Sequence, residues 1–496
     1  MSAGFFMSDS GSDMDSAVSH PRRVKPRTAN IVLALAISWV SACGGPKSNE
    51  PAIAAEVRNT AAVQPAPSSQ PSPPPEWALS FGGTFADRVE AMVVDRDGNV
   101  IIAGDNTGSD FVLGDDHYSN ARSFVLKLNP AGGVIWFRGY DGYADMISNV
   151  GVDDAGNVVV AGQFQRGAIE FPGARLESTA PWTGYLWKLS TDGEHRWATT
   201  FDASTVGDMV VLANGTIVVG GAFTAPVVWG KQTLKPANND QNAFVLAAAS
   251  DGKPLWATHL GDGKPGEVMS LAVGLEGEIW SLRRTPSGNR KAFLGEGEDW
   301  DGIHAYLDHV SANGTVANRS WKGPPASAGQ LLAAGQRDGG VVILGSSEGA
   351  LWNGVSSKGL SDCYVIRLGR DGTEKWRRVV GTPHRDFGAA LAVTDASLFV
   401  AVERNYNSDE EHEAASGATL GPLLQKISLD GRTATELSLA TGVFAKVTAM
   451  ATIADHTLLI GGTFNGRFTV GGTTLDTTNN DHNYDAFVVR QRIGGR

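Results

Sequence analysis

Short apolar segments separated by polar turns make up most of the chain after residue 76. Some segments are apolar almost without interruption, as in Val100–Gly104 and Val158–Gly162. Turns such as Asp95-Arg-Asp-Gly-Asn99 precede them, and Asp-Gly and Gly-Asn pairs are strong signals for tight β-hairpins. A strand that is apolar on both faces is expected where neighbouring sheets cover it on both sides. The pattern therefore predicts an all-β fold of short, buried, antiparallel strands.

The strand pattern repeats with a period of about sixty residues. Four strands are predicted in each repeat, and the fourth carries a tryptophan in most copies. These tryptophans are Trp77, Trp136, Trp197, Trp256, Trp321 and Trp376, and a seventh copy begins near Leu437. One repeat cannot bury both faces of its sheet alone, so the repeats must stack, and stacking with rotation produces a propeller of 4–8 blades. We predict that the repeat tryptophans pack between blades.

The two ends of the repeat region are out of phase with each other. The region begins with Trp77–Phe81, a fourth strand without the preceding three, and ends with Phe487–Gln491, a third strand without a fourth. The N-terminal strand can therefore complete the last blade and remove the exposed edges of the sheets. We expect one seven-bladed β-propeller of four-stranded antiparallel blades over residues 77–496, closed by the N-terminal strand.

The best-preserved repeat resembles a known family. Gly462-Thr-Phe-Asn-Gly-Arg-Phe-Thr-Val-Gly-Gly-Thr-Thr-Leu475, followed by Asp485-Ala-Phe-Val-Val489, is similar to the β-propeller repeat of bacterial surface and periplasmic lipoproteins. Gly221-Ala-Phe223 with Asn242-Ala-Phe-Val245 repeats the motif less fully. The resemblance covers about residues 77 to 492 and is weaker in the fourth and sixth repeats. It implies the fold but no activity, because the family shares no catalytic motif.

The N-terminus has the features of an export signal. A basic segment, residues 20–29, precedes the ten-residue apolar run Ile31–Val40. That run is shorter than the ~20 residues that cross a bilayer and has the length of a signal-peptide core. Val40-Ser-Ala-Cys43 resembles the lipobox of bacterial lipoproteins. We therefore expect residues 1–42 to be a signal peptide. We expect Cys43 to carry a lipid anchor that includes palmitate. An ordinary secretion signal that happens to contain a cysteine is the alternative.

Residues 43–76 are expected to form a tether. Gln64–Pro75 is rich in proline and cannot bury enough apolar surface to fold, so a disordered, extended linker is predicted. Gly44, rather than an aspartate, follows the lipobox cysteine. By resemblance to known sorting rules, this residue indicates export to the outer membrane, on its periplasmic or cell-surface face.

The net charge and the cysteine content limit which binding partners and which disulfides are expected. The formal net charge is −12, and such a field repels a phosphate backbone, so nucleic acid is not expected as a partner. Cys43 and Cys363 are the two cysteines. If Cys43 is lipidated, Cys363 has no partner for a disulfide. It lies in an apolar segment, which favours a buried, inert thiol.

A carboxylate recurs just before the first strand of several repeats. The four residues are Asp87, Asp145, Glu267 and Asp386. They could ring the mouth of a central channel and attract a cation. The alternative, which repetition favours, is that they accept hydrogen bonds from loop amides and set the turn into the strand.

Further tryptophans fall between the second and third strands of their repeats. They are Trp182, Trp229, Trp300 and Trp352. Exposed indoles there could stack on sugars or bind a partner protein. Packing of each loop against its own blade is the favoured alternative.

No pattern in the chain predicts catalysis. The histidines lack the spacing of a transition-metal site, and nucleophile-elbow and phosphate-loop motifs are missing. We therefore assign no catalytic residue, metal or cofactor. The expected function is a lipid-anchored, monomeric binding or scaffolding module for an envelope protein or polysaccharide. The alternatives are an accessory lipoprotein of outer-membrane barrel assembly, whose repeats are shorter, and a metal-dependent propeller lyase or hydrolase. A quinoprotein dehydrogenase would need an adjacent cysteine pair.

Overall fold

The structure is a computed structural model, and part of the chain is described by it. The described residues are 76–108, 110–119, 121–142, 146–203, 205–237, 240–261, 264–286, 303–325, 332–335, 338–348, 361–382, 385–405, 421–437, 439, 444–453, 457–470, 473–477 and 484–493. The predicted signal peptide, Cys43 and the tether lie outside these residues. Asp145, Trp300 and Trp352 lie outside them as well.

The described segments are β-strands joined by turns. The strands are, in chain order, β1 (Trp77–Phe81), β2 (Asp87–Val94), β3 (Val100–Asn106), β4 (Asp110–Leu113), β5 (Asp116–Ser119), β6 (Ser123–Leu128), β7 (Val134–Gly142), β8 (Met146–Val152), β9 (Val158–Phe171), β10 (Ala174–Leu189), β11 (His195–Asp202), β12 (Thr205–Val211), β13 (Ile217–Phe223), β14 (Val227–Trp229), β15 (Gln232–Leu234), β16 (Asn242–Ala248), β17 (Pro254–His259), β18 (Glu267–Val273), β19 (Ile279–Pro286), β20 (Ile303–Val310), β21 (Val316–Pro325), β22 (Leu332–Gly335), β23 (Val341–Glu348), β24 (Ser361–Leu368), β25 (Glu374–Val380), β26 (Arg385–Val393), β27 (Ser397–Asn405), β28 (Leu423–Ser428), β29 (Ala434–Leu437), β30 (Phe444–Ile453), β31 (Thr457–Asn465), β32 (Arg467–Val470), β33 (Thr473–Asp476) and β34 (Asp485–Arg492). Within the described part of the chain, no helix has the length and apolar character needed to span a membrane.

The strands pair antiparallel in sets of four, as the repeats predict. The sets are β2-β3-β6-β7, β8-β9-β10-β11, β12-β13-β16-β17, β18-β19-β20-β21, β22-β23-β24-β25 and β26-β27-β28-β29. The last strands form the set β30-β31-β34-β1, in which Trp77 lies opposite Arg490 and Phe81 opposite Ala486. Three small hairpins, β4-β5, β14-β15 and β32-β33, stand between the second and third strands of their sets. In the second set, β9 and β10 are themselves longer and pair as far as Phe171 and Ala174.

Consecutive sets pack face to face and bury their apolar strands. One cluster joins Ile101 and Val125 of one set to Val160 and Trp187 of the next. Several second and third strands are buried along their whole length, as in β13 and β16. Stacked four-stranded antiparallel sheets of this kind are the blades of a β-propeller. The prediction of an all-β propeller is confirmed at this level. Cys363 is fully buried, and this burial raises the pKa of its thiol.

The repeat tryptophans join neighbouring sets through one recurring contact. For five of them, the indole N–H donates to a carbonyl oxygen in a turn of the next set. The bonds are Trp77 to Pro130 (3.1 Å), Trp136 to Thr191 (2.9 Å), Trp197 to Ser250 (3.2 Å), Trp256 to Ala312 (3.0 Å) and Trp376 to Leu429 (2.8 Å). A glycine of the same turn lies against the indole face; at Gly193, which has a φ of 76°, an added Cβ would come within 2.8 Å of Trp136. The predicted role of these tryptophans between blades is confirmed for the five.

Candidate functional site

The first strands of the sets line a common cavity of about 780 Å³. Its wall is built from β2, β8, β12, β18, β26 and β30, with contributions from the ends of β3, β27 and β31. Each first strand runs antiparallel to its second strand, so the start of one and the end of the other lie at the same edge of the sheet. Arg88 lies opposite Asp105, for example. This cavity, lined by the first strands, is called the channel below.

A β-bulge recurs in the first strand of most sets. The residues left out of the ladder are Glu90, Ser148, Gly207, Met269, Ala389 and Thr448. A bulge bends its strand and re-aims a side chain. The Ser148 hydroxyl donates to the Val206 carbonyl of the next set at 2.7 Å, and Thr448 makes the same kind of bond to Val89. The bulges therefore bring polar side chains into the channel wall and tie adjacent sets together.

The edge of the channel where the first strands begin is charged. Arg88 pairs with Glu90, and its Nη2 lies 3.6 Å from the Asp105 carboxylate. Ser123 donates a hydrogen bond of 3.2 Å to Asp105. On another part of the wall, Lys446 pairs with Glu403 at 2.5 Å. Two carboxylates thus share one guanidinium at this mouth.

Burial raises the pKa of both carboxyl groups beside Arg88. Burial raises the pKa of Glu90 to about 7, and the charge of Asp105 adds to the rise while Arg88 opposes it. Burial also raises the pKa of Asp105, again against the effect of Arg88. A carboxyl group with a pKa of about 7, as Glu90 has, changes charge when a cation or a proton acceptor approaches.

Asp208 also lines the channel, and its carboxylate accepts hydrogen bonds from neighbouring strands. It accepts hydrogen bonds from the amides of Met209 and Leu271, both at 2.7 Å, and from the side chains of Asn149 and Ser270. These donors come from three successive first strands. Burial raises its pKa, although the hydrogen bonds oppose the shift. Asp208 therefore connects the strands around the channel.

Asp87 is the one predicted carboxylate, of the three described, that lines the cavity. Its side chain is fully buried, and Oδ2 accepts a hydrogen bond of 2.7 Å from the Gly83 amide. Oδ1 has no hydrogen-bond partner among the described residues. Burial raises the pKa of Asp87 to about 8, and the charge of nearby Asp485 adds to the rise, whereas the Gly83 bond lowers it.

The other predicted carboxylates have local partners. Asp386 is buried and accepts a hydrogen bond of 2.6 Å from the Thr382 amide, and Glu267 pairs with Arg284 at 3.2 Å. The amide bonds of Asp87 and Asp386 are those that the turn-setting interpretation predicts. Over the described ranges, His, Cys, Asp and Glu side chains form no group of three or more that could hold a metal ion.

The two described loop tryptophans differ in exposure. Trp182 is half-buried and lies opposite Gln165 in the extended β9–β10 hairpin. Trp229 is buried, its indole donates to the Ala247 carbonyl at 2.7 Å, and its ring meets Phe201 edge-on at 5.9 Å. Trp229 thus packs between its own blade, as the favoured alternative predicts, and β11 of the preceding blade. Its ring is not presented to solvent for sugar stacking.

Sequence reasoning missed the charged mouth formed by Arg88, Glu90 and Asp105. A signal for it existed, because Glu90 interrupts the otherwise apolar segment Val89–Val94. A strand buried on both faces would not be expected to carry a charge there. The glutamate therefore indicates that this position faces a polar space. The pairing with Asp105 depends on strand register and could not be deduced from this residue alone.

Several solved structures are similar to this chain, each at low sequence identity. Neither a protein-family model nor a curated protein matches the chain. The WD40 domain of Pan2 from Neurospora crassa aligns over 71% of this chain and 95% of that one, at 10% identity and a TM-score of 0.38. The Dos1 propeller aligns over 84% and 94%, at 8% identity and 0.42. A puromycin hydrolase mutant complexed with PGG aligns over 78% of this chain and 53% of that one, at 11% identity and 0.44.

Proposed function

We propose that the protein is a lipid-anchored, cell-envelope β-propeller that binds an envelope protein or polysaccharide through its central channel and does not catalyse a reaction. The observation that carries the proposal is the channel itself. It is large enough for a ligand, since small-molecule sites occupy about 300–1,000 Å³. Its described lining combines carboxylates, a guanidinium and an ammonium group with hydroxyl and amide side chains, which suits polar recognition.

The proposed ring has seven blades and is closed by β1. The pairing of β1 with β34 supports this arrangement. Contacts between the last and first sets support it as well: the Thr463 hydroxyl donates to the Asp87 carbonyl at 2.9 Å, and Thr448 donates to Val89. Closure leaves the channel lined on all sides and removes sheet edges that would otherwise recruit other chains.

The proposed anchor is the lipidated Cys43 at the outer membrane. Its support is the sequence Val40-Ser-Ala-Cys43 after a signal-like apolar run. Metabolic labelling with an alkyne palmitate analogue, followed by membrane fractionation, tests it. The full chain should be labelled and sediment with outer membranes, and Cys43→Ala should lose both properties. Cys363→Ala is the matched control and should keep both. Labelling that survives Cys43→Ala would overturn the anchor.

Binding is tested with the full lipoprotein cross-linked in its own cells and recovered for mass spectrometry. A channel ligand should be recovered in stoichiometric amount and lost from Glu90→Gln. The matched control is Glu177→Gln, because Glu177 is exposed on the β9–β10 hairpin away from the channel lining. Recovery that is equal from both variants would place the interaction elsewhere and overturn the channel as its site.

A hydrolase is the second candidate, and one observation favours it. Glu90 and Asp105 lie together in the cavity, and a carboxyl group with a pKa of about 7 suits general acid–base catalysis. Incubation with envelope glycans and peptides distinguishes the two functions. A binder leaves them intact, whereas a hydrolase releases products at a rate that Glu90→Gln reduces by about a hundredfold or more.

A further inference from the structure

We propose that the channel mouth binds an alkylammonium group, placed against Glu90 and Asp105 with its aliphatic chain directed along the channel. This inference rests on the proposed function, because it names the chemistry of the ligand at the same site. Two sources carry this chemistry: a free polyamine and a lysine side chain of a peptide.

Carboxyl groups outnumber cationic groups in the described lining of the channel. The carboxylates are Asp87, Glu90, Asp105, Asp208 and Glu403, and the cations are Arg88 and Lys446. Glu403 forms an ion pair with Lys446, and Asp208 accepts hydrogen bonds from four donors. Arg88 is left to serve both Glu90 and Asp105. Glu90 and Asp105 also share a hydrogen bond, which raises the pKa of Glu90, so a proton holds the place that an additional cation at this mouth would take.

Asp87 is an independent sign of a missing partner. It is fully buried in the wall of the same cavity, and its Oδ1 accepts no hydrogen bond within the described part of the chain. A buried polar atom without a partner costs about 1–3 kcal/mol, so such atoms are uncommon unless a ligand or water completes them. The nearby charge of Asp485 makes a positively charged partner more favourable still.

The geometry favours an organic cation over a metal ion. Calcium takes 6–8 oxygen ligands that converge on one point. The described side chains offer no such group of three or more His, Cys, Asp or Glu. An ammonium group donates three separate hydrogen bonds and tolerates carboxylates that are spread along a wall.

The remainder of the channel wall suits an aliphatic chain. The apolar lining residues include Met92, Leu391 and Met450, each two positions beyond the bulge of its strand, and Met269, which occupies a bulge. Methionine side chains are flexible and adapt to irregular apolar ligands. An alkylammonium ligand is itself divided in this way, with an apolar stem and a charged end. The charged mouth and the methionine-rich wall therefore match the two parts of one ligand.

The test is calorimetric titration of the full chain with spermidine and, separately, with a short neutral-capped peptide that contains one lysine. Glu90→Gln should weaken binding of whichever probe binds by about tenfold or more, equal to ~1.4 kcal/mol. Glu177→Gln should bind like the unsubstituted protein. Saturation by spermidine alone identifies a free amine, and saturation by the peptide alone identifies a lysine side chain. Binding of neither probe, or equal binding by Glu90→Gln, would overturn the inference.

A second readout does not depend on a variant. Near pH 7, Glu90 is partly protonated, and an arriving ammonium group should displace that proton. The other titratable or charged groups that face this part of the channel are Asp87, Arg88, Asp105, Glu403, Lys446 and Tyr484. Titrations in buffers of different ionisation enthalpy should reveal proton release on binding. Binding without proton release would contradict the placement beside Glu90.

The inference and the proposed function can fail separately. If an envelope partner is recovered through the channel and neither amine probe competes with it, the binding function stands and the alkylammonium inference is wrong. If the amines bind in a Glu90-dependent manner and no envelope protein or glycan is recovered, the inference stands and the scaffolding function is wrong.

Discussion

Lys127 and Asp95 form an ion pair of 3.0 Å in which both side chains are almost completely buried. The pair joins the third strand of one set to the turn between its first and second strands. Lys188 and Asp153 repeat it in the next set at 2.9 Å, and Lys188 also donates to the Ser250 carbonyl of the set that follows. In this repeated pair, one ammonium group binds the turn of its own blade and also a carbonyl group of the neighbouring blade.

Lys127→Met is expected to lower the free energy of unfolding by about 3–5 kcal/mol, because it leaves Asp95 buried without its cation. Burial alone would raise the pKa of Asp95, and hydrogen bonds from Asn99 and Lys127 together hold it below its usual value. Urea denaturation at neutral pH measures the effect. The matched control is Lys253→Met, whose exposed pair with Asp251 should contribute little to stability because solvent screens it. Equal losses of unfolding free energy in the two variants would show that burial does not strengthen the Lys127–Asp95 pair.

Gly193→Ala should be more destabilising than Gly372→Ala. Both glycines close the same kind of turn and have a φ of 76°, so both variants carry the same backbone strain of about 1–2 kcal/mol. At Gly193 the new Cβ would also come within 2.8 Å of Trp136, whereas at Gly372 it would meet no atom within 4 Å. The additional overpacking is expected to cost about 1–3 kcal/mol.

Chemical denaturation of the two glycine variants, side by side, measures this difference. Because the backbone strain is common to both, subtracting one loss from the other isolates the contact between glycine and indole. Losses that agree within experimental error would show that the tryptophan can move away from the turn without consequence. The recurring indole contact would then be incidental to blade packing.

The repeat structure could be predicted from the sequence because its determinants are local and recur. Tryptophan, the Asp-Gly turns and the doubly apolar strands each mark a position within one repeat, and comparison of copies reveals their common role. The charged mouth could not be predicted in this way. Glu90 and Asp105 belong to different strands of one repeat, and Lys446 and Glu403 come from two others. Their proximity depends on register and on the bulges, which leave no fixed pattern in the sequence.

Stability is expected to fall as pH rises through the range set by Asp87. Its pKa is raised from 3.8 to about 8 by burial, so between these values the folded state binds a proton that the unfolded state has released. The stabilisation is fully present below about pH 4 and is lost as pH rises through about 8. Asp87→Asn cannot titrate and should show a shallower decline over this range.

The free energy of unfolding, measured by urea denaturation from about pH 5 to about pH 9, tests this dependence. Asp97→Asn is the control, since Asp97 is exposed in the β2–β3 turn and should leave the profile unchanged. A profile for Asp87→Asn as steep as that of the unsubstituted protein would assign the decline to other groups. Glu90 and Asp208 would then be the next to replace, because burial raises their pKa values too.

Gly207→Ala should weaken the contact between two neighbouring blades. Gly207 occupies the bulge of β12, and an added Cβ would lie 2.0 Å from the Val268 carbonyl oxygen of β18. That oxygen is backbone, so β12 or β18 must shift, and we expect a loss of about 1–3 kcal/mol. The reciprocal control is Ala389→Gly at the equivalent bulge of β26, where the expected loss is about 0.5–1 kcal/mol from backbone freedom. Thermal and urea denaturation would measure both. If Gly207→Ala were the milder change, close approach of the first strands would not be what selects glycine there, and the channel wall would be more tolerant of side chains than its geometry implies.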